Sequence, residues 1–122
     1  MRSDAWKARR RHWHAEQERR TGKRSQCEVC FTERKLDLHH LDYSGVIQLA
    51  DKTWNSLERH EDLVPLCRGH HEAVHRLLDN DTGYRDHMSR RAASLKVIAK
   101  LRQRVLDLVV GLSDVAELQA AR

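Results

Sequence analysis

One stretch of the chain, Asp62-Leu-Val-Pro-Leu-Cys-Arg-Gly-His-His-Glu-Ala-Val-His75, places a cysteine and three histidines within nine positions. Cys67 and His70 have the spacing of half a tetrahedral zinc site. His71 and His75 are four residues apart, so a helix would carry both on one face, about 6 Å apart along its axis. His70 would lie about 100° around that helix from His71 and point elsewhere. The stretch therefore predicts contributions to two separate sites.

The other half of the zinc site is Cys27-Glu-Val-Cys30, about forty residues earlier in the chain. Two such pairs together are a strong signal, and they predict a closed structural Zn²⁺ site with three thiolates and one imidazole. Binding of this kind contributes roughly 10–16 kcal/mol in small peptides, so we expect the metal-free chain to fold poorly. A redox role for Cys27 and Cys30 is a weaker reading, because no βαβ pattern surrounds them.

Composition sets the broad class of protein. The 122 residues are 39% hydrophobic and 34% charged, which is polar for a small independent domain and makes a metal staple useful. No apolar run approaches the ~20 residues that span a membrane, and the N-terminus lacks a signal-peptide pattern. Three cysteines, an odd number, argue against a disulfide framework. These features predict a cytoplasmic protein with no membrane association.

The positive charge is concentrated at the start of the chain. Residues 1–24 hold nine basic and three acidic side chains, a net charge of +6, whereas the remaining 14 basic and 15 acidic residues sum to −1. A local basic patch suits a polyanion, so we expect DNA binding here, with a merely solubilising face as the alternative. Eight of the nine basic residues, all but Arg2, are predicted to bind DNA: Lys7, Arg9, Arg10, Arg11, Arg19, Arg20, Lys23 and Arg24.

Residue patterns predict an α+β fold. A helix from Ser3 or Asp4 to about Arg20 would carry Trp6 and Trp13 on one face, either in the core or as a base-stacking platform. Short strands are expected at 36–41 and 63–66, the second at an edge because of Pro65. Residues 42–60 are expected to form a loop with one short element, and a helix is expected from about 70 to 78.

A long helix is predicted from about residue 85. Its apolar positions follow 3-4-3-4-3 spacing, which indicates either a dimerising seam or a helix that folds back on Trp6 and Trp13. Gly111 weakens the helix and allows a break near Ser113. The seam positions are Ile98, Leu101, Val105, Leu108, Leu112 and Val115.

Four histidines, His39, His40, His71 and His75, remain after the zinc site is filled. Neighbouring strand residues point to opposite faces, so His39 and His40 are expected to have different functions. Two helical histidines and one strand histidine can bind a divalent ion and leave coordination positions open. The remaining strand histidine has an ordinary pKa near ~6.5 and suits proton abstraction from water.

These residues together resemble the HNH (ββα-metal) endonuclease family. The resemblance covers about residues 25–78 and rests on the order and spacing of the motifs. They are Cys27-x2-Cys30, Leu38-His39-His40-Leu41, and Asp62-Leu-Val-Pro-Leu-Cys67-x2-His70-His71-x3-His75. The resemblance implies two antiparallel strands and a helix that hold one divalent ion (Mg²⁺, Mn²⁺, Ni²⁺ or Zn²⁺) at the scissile phosphate of DNA.

The resemblance also assigns roles to the histidines. His40 would be the general base that activates water, and His39, His71 and His75 would be the catalytic metal ligands. Hydrolysis in this family leaves 5′-phosphate and 3′-hydroxyl ends. Asp62 stands where the family has asparagine, so it could orient the base or approach the metal. His70 replaces a commoner cysteine ligand of the zinc.

The expected organisation is thus a basic N-terminal helix (1–24), an HNH core with zinc knuckles (25–82) and a C-terminal helical extension (83–122), with a homodimer possible through the last helix. A phage or mobile-element context would suit such a nuclease. One alternative is a zinc-knuckle nucleic-acid-binding module without chemistry, which leaves the four spare histidines unexplained. Another is an inactive HNH relic that serves in assembly.

Overall fold

The protein was analysed as a computed structural model, which describes residues 4–43, 46–48, 54–56, 58–80, 83 and 87–120. It is a small α+β protein. The elements are α1 (Asp4–Thr21), β1 (Leu36–His40), β2 (Val46–Gln48), β3 (Trp54–Ser56), a 3-10 turn (His60–Asp62), β4 (Leu63–Cys67), α2 (Arg68–Asn80) and α3 (Arg90–Ala120). No helix in this described part is long and apolar enough to cross a membrane.

The described strands form two separate antiparallel pairs. β1 pairs with β4 in a register that sets His40 opposite Leu63 and Leu36 opposite Cys67. β2 pairs with β3 between these two strands in the sequence. The expected strands at 36–41 and 63–66 are confirmed, whereas 42–60 contains more regular structure than one short element. Each of these added strands has only three residues, too few for alternation to stand out.

The main hydrophobic core lies between the β1–β4 sheet, α2 and the first half of α3. Cys27 and Val29, which belong to the Cys27–Cys30 turn (the knuckle), are fully buried in this core, together with Leu66 of β4 and Val74 of α2. Val97 of α3 fills the far side of the same cluster. Because a cysteine of the knuckle lies inside this core, the zinc-type site and the packing of the helices are one structural unit.

The helix α1 covers the other face of the sheet. Trp13, 2% exposed, packs with Leu38 and Leu63 in a second, smaller cluster that Trp6 joins at its edge. The Trp13 indole Nε1 donates a hydrogen bond of 3.0 Å to the His60 carbonyl oxygen. Trp13 is therefore a core residue, which is one of the two positions predicted from the sequence. It fixes α1 to the strands by packing and by a hydrogen bond.

The helix α3 begins behind Ser89, whose hydroxyl accepts the backbone N–H of Ala92 as an N-cap. Its buried Ile98 and partly buried Leu101 pack in the main core with α2. The helix folds back on the main core. The alternative in which it covers Trp6 and Trp13 is wrong, because those residues lie in the cluster under α1. It continues through Gly111 without a break.

Candidate metal centres

The first centre brings together Cys27, Cys30, Cys67 and His70. Their ligand atoms all lie within 4.8 Å of one another. Cys30 Sγ and Cys67 Sγ are 3.9 Å apart, and His70 Nδ1 lies 3.8 Å from Cys27 Sγ and 3.3 Å from Cys67 Sγ. Two sulfurs bound to one tetrahedral zinc are separated by about 3.8 Å. The four residues predicted from the sequence therefore fit a zinc ion, and the cysteines are free thiols rather than disulfides.

The knuckle that presents Cys27 and Cys30 is a tight hydrogen-bonded turn. The Cys27 N–H donates to the Thr32 carbonyl at 2.8 Å, and the Phe31 N–H donates to the Cys27 carbonyl at 2.9 Å. The Val29 N–H points at Cys27 Sγ, 3.4 Å away. Phe31 takes a left-handed φ of 66°, a conformation that costs a residue with a Cβ roughly 1–2 kcal/mol.

Without an ion, the thiols of this centre have different acidities. Burial raises the pKa of Cys27, but hydrogen bonds from the backbone at Cys30 and Cys67 outweigh it and leave the pKa below its usual range. Burial raises the pKa of Cys30 to about 11. Zinc requires deprotonated thiolates, and its charge supplies the stabilisation that a buried thiolate otherwise lacks.

The second centre brings together His39 from the end of β1 with His71 and His75 from α2. One nitrogen from each ring lies within 4.8 Å of the others, and His71 Nε2 and His75 Nε2 are 3.1 Å apart. His39 is fully buried, and its Nδ1 has no hydrogen-bond partner in the described part of the protein. A buried nitrogen without a partner, beside two converging imidazoles, fits a metal ligand.

Two neighbouring side chains orient these ligands. His39 Nε2 lies 3.0 Å from the Ser94 hydroxyl, and His71 Nδ1 lies 3.2 Å from Asp37 Oδ2. Metal-binding histidines commonly bond their other ring nitrogen to such a group, which fixes the tautomer and ring orientation. The arrangement leaves His39 Nδ1 and His71 Nε2 for an ion.

Asp37 and Ser94 were not among the residues predicted from the sequence. Asp37 could have been found, because it is two residues before His39 on the same strand face. Ser94 could not have been found, because it arrives from α3 with no pattern that links it to β1.

The His40 side chain lies on the opposite face of β1 from His39, as alternation along the strand requires, and it is almost completely buried. Its ring stacks on Trp6 at 5.2 Å and on Tyr43 at 4.8 Å between ring centroids. Burial, with a further contribution from Arg90, lowers the pKa of His40 to about 4. The ordinary pKa expected from the sequence is therefore wrong for this buried ring. The imidazole is neutral at pH 7, which is the form that accepts a proton.

Asp62 lies under the start of α3, and its side chain is almost completely buried. The carboxylate accepts hydrogen bonds from the Arg59 backbone N–H, at 3.0 Å, and from the Arg91 guanidinium. These hydrogen bonds outweigh burial, which raises the pKa, and hold the pKa of Asp62 below its usual range. Its ligand atoms are not part of the histidine group.

His71 and His75 of the histidine centre line a cleft of about 660 Å³ whose walls carry three arginines and three carboxylates. Arg10 and Arg68 line this cleft and also a neighbouring one of about 600 Å³, so the two clefts adjoin. Three of the basic residues predicted to bind DNA are in ion pairs, namely Arg9, Arg19 and Arg20. Within the described residues, the other five have no ion pair: Lys7, Arg10, Arg11, Lys23 and Arg24.

Comparison with known proteins gives no relative for this chain. No family model, no curated protein and no solved structure matches it. The two centres are therefore interpreted from their side-chain geometry.

Proposed function

We propose that the protein is a metal-dependent endonuclease of the HNH (ββα-metal) type that hydrolyses phosphodiester bonds of DNA. The observation that carries the proposal is the convergence of His39, His71 and His75, the last two of which line a cleft that also contains three arginines. This centre is distinct from the thiol-rich one, so a structural zinc does not account for it. Three protein ligands leave coordination positions for a phosphate oxygen and water.

The order of the elements supports the same type of nuclease. Two paired antiparallel strands, β1 and β4, are followed directly by α2. The ends of β1 and the face of α2 then supply the histidines, as the ββα-metal arrangement requires. Asp62, in place of the family's asparagine, anchors Arg91 rather than joining the ligands.

Each element of the site has a separate chemical task. A divalent ion held by the three histidines would supply Lewis-acid stabilisation of charge on the departing 3′ oxygen. His40, neutral and held between aromatic rings, would take the proton of the attacking water. Arg10 and Arg68 would bind the phosphates on either side of the scissile bond.

The test is cleavage of supercoiled plasmid DNA in Mg²⁺, Mn²⁺, Ni²⁺ or Zn²⁺, comparing wild type with His40→Ala. General-base catalysis contributes about 10²–10⁴-fold, so we expect the variant to lose at least about a hundredfold in rate. An exposed histidine, His87, supplies the matched control His87→Ala. Unchanged cleavage by His40→Ala contradicts the assignment of the base.

The same assay examines the alternative, a zinc-knuckle binding module without chemistry. If folded protein with one zinc per chain binds DNA but cleaves none with any of the four ions, that module is the better description. The spare histidines favour the nuclease, because a binding module has no need of a buried His39 Nδ1 that lacks a partner among the described residues.

The DNA contact can be tested through its dependence on salt. Replacing an arginine that binds a phosphate reduces the slope of log affinity against log salt by about one. We expect this change in Arg10→Gln, whose side chain lines both clefts. Arg104→Gln is the control, since Arg104 is exposed on α3 and is not among the residues predicted to bind DNA. Equal slopes for the two variants contradict a phosphate contact at Arg10.

A further inference from the structure

Glu58 holds an unusual position beside the candidate base. Its side chain is 0% exposed, yet neither carboxyl oxygen accepts a hydrogen bond from any described residue. Burying a carboxyl group without hydrogen bonds is unfavourable, and proteins rarely do so without a functional reason. The residue just precedes the 3-10 turn, and no sequence motif drew attention to it.

The Glu58 carboxyl group lies between the side chains of Arg9 and His40. Glu58 Oε1 lies 4.0 Å from His40 Nε2, which is itself buried and lacks a partner among the described residues. On the other side, Arg9 Nε lies 3.8 Å from the same oxygen, and Arg9 Nη2 donates at 2.7 Å to the Glu58 carbonyl. An acceptor and a potential donor, both unsatisfied, thus face one another about 1 Å beyond hydrogen-bond distance.

We propose that Glu58 is a positioning residue that accepts a hydrogen bond from His40 Nε2 and so leaves the His40 Nδ1 lone pair for the attacking water. A neutral imidazole carries one ring hydrogen, so fixing it on Nε2 determines which nitrogen can act as the base. The proposal rests on the proposed nuclease function. Arg9 supplies a positive charge that offsets the buried carboxylate and fixes the Glu58 backbone.

This arrangement gives α1 a function beyond binding DNA. Trp6 and Arg9 are one helical turn apart, and together they cover the His40 ring and hold Glu58. From the opposite direction, Tyr43 stacks on the ring while Arg90 donates to the His40 carbonyl at 3.0 Å. The ring plane is thereby fixed by packing, and Glu58 is left to fix the position of the hydrogen.

Nuclear magnetic resonance of ¹⁵N-histidine-labelled full-length protein tests the proposal without DNA. The sample is loaded with zinc at the knuckle and contains no second metal. We expect wild-type His40 to carry its hydrogen on Nε2, with a downfield, exchange-protected proton resonance. Glu58→Leu should lose that downfield resonance, and Glu61→Gln should keep it, because Glu61 is exposed and bonded to Arg20. A wild-type His40 that carries its hydrogen on Nδ1 overturns the proposal, even where Glu58→Leu does not fold.

Kinetics with plasmid DNA give the second measurement. We expect kcat to fall about ten- to a hundredfold in Glu58→Leu, with KM within twofold and the zinc content unchanged. Glu58→Gln keeps an amide oxygen that can accept the bond, so it should lie between that variant and wild type. Equal kcat in all three proteins overturns a positioning role. If no protein cleaves DNA, the nuclease proposal fails, but the resonance still decides whether Glu58 binds His40.

Discussion

The two candidate metal centres share one segment of chain and differ in almost every physical respect. Cys67 and His70 belong to the thiol centre, whose Cys27 is fully buried in the main core. His71 and His75 belong to the histidine centre, which opens into a charged cleft. A closed set of four ligands suits a metal that holds structure, and an incomplete set of three suits one that meets substrate.

The first turn of α2 directs its histidines to both centres. His70 and His71 are sequence neighbours, but successive residues of a helix point about 100° apart, so each faces a different centre. The thiol centre joins elements that are distant in sequence, the knuckle and the beginning of α2. The histidine centre joins β1 to α2, which also contact each other directly, and its rings are held by single hydrogen bonds to Ser94 and Asp37. Loss of the first metal should therefore damage the fold, and loss of the second should damage function alone.

The largest effect is expected for Cys67→Ser, which removes one thiolate of the closed centre. Zinc sites of this kind contribute roughly 10–16 kcal/mol in peptides, which matches the whole stability of a small domain. We expect circular dichroism to show no cooperative unfolding transition and metal analysis to show no tightly bound zinc. A folded Cys67→Ser protein with a normal transition would mean that the core holds without its metal.

The next largest effect is expected for His75→Ala, which removes one ligand of the open centre. Cobalt substitution separates the two centres, because only a thiolate site gives sulfur-to-metal charge-transfer absorption. We expect this variant to keep that absorption and its fold, to bind one ion fewer and to lose DNA cleavage by at least about a hundredfold. His87→Ala, at an exposed histidine, is the control. Retention of the second ion by His75→Ala would remove His75 from the ligand set.

A smaller effect is expected for Asp62→Asn, the residue that the family resemblance suggests at this position. Loss of the charge weakens the hydrogen bonds from Arg59 and Arg91. We expect a loss of about 1–3 kcal/mol in the free energy of unfolding, measured with urea, and nearly unchanged cleavage by the folded protein. A large fall in kcat with little change in stability would instead support orientation of His40 by Asp62.

The pH dependence of this loss has a definite sign. The pKa of Asp62 is lowered in the folded protein, so its ionised form contributes stability above the unfolded-state pKa of about 3.9. That contribution disappears as pH falls through the still lower folded-state pKa. The difference between wild type and Asp62→Asn should therefore be constant from about pH 8 to 5.5. A difference that changes within this range would assign the stabilisation to another group.

The ligands were predictable from the sequence because their geometry is local. The spacing along a helix shows that His70 and His71 point to different sites. Alternation along a strand shows the same for His39 and His40. The supporting contacts were not predictable, because they join residues far apart along the chain. Arg91 reaches Asp62 from α3, and neither residue carries a pattern that indicates the other.

The same limit applies to the packing of α3 and to Glu58. The apolar positions of α3 show that one face packs but do not identify the surface it meets, which proved to be the main core rather than the tryptophans under α1. Glu58 is identified by burial and by its unsatisfied oxygens, properties that exist only once α1 has closed over the sheet.

The smallest effect is expected at Phe31, where the turn of the thiol centre has a strained backbone conformation. In the described part of the chain, left-handed φ angles at residues other than glycine occur at Phe31 and Lys35, which both follow the Cys27–Cys30 turn. Phe31 is 44% exposed, so packing of its ring contributes little to offset the energy of the left-handed conformation. Phe31→Gly should remove the steric cost of the left-handed conformation, but glycine also adds entropy to the unfolded chain. The net result is a gain of about 0.5 kcal/mol in the free energy of unfolding and a rise in Tm of roughly 1–3 °C.

Phe31→Ala is the matched control, because it removes the same ring but keeps a Cβ at the left-handed position. Calorimetry of the zinc-loaded proteins should show a gain for glycine and none for alanine. Equal shifts in the two variants would trace the effect to the exposed ring instead. A gain confined to glycine means that zinc binding holds the turn against a backbone preference, a cost that a centre supported by side-chain hydrogen bonds does not carry.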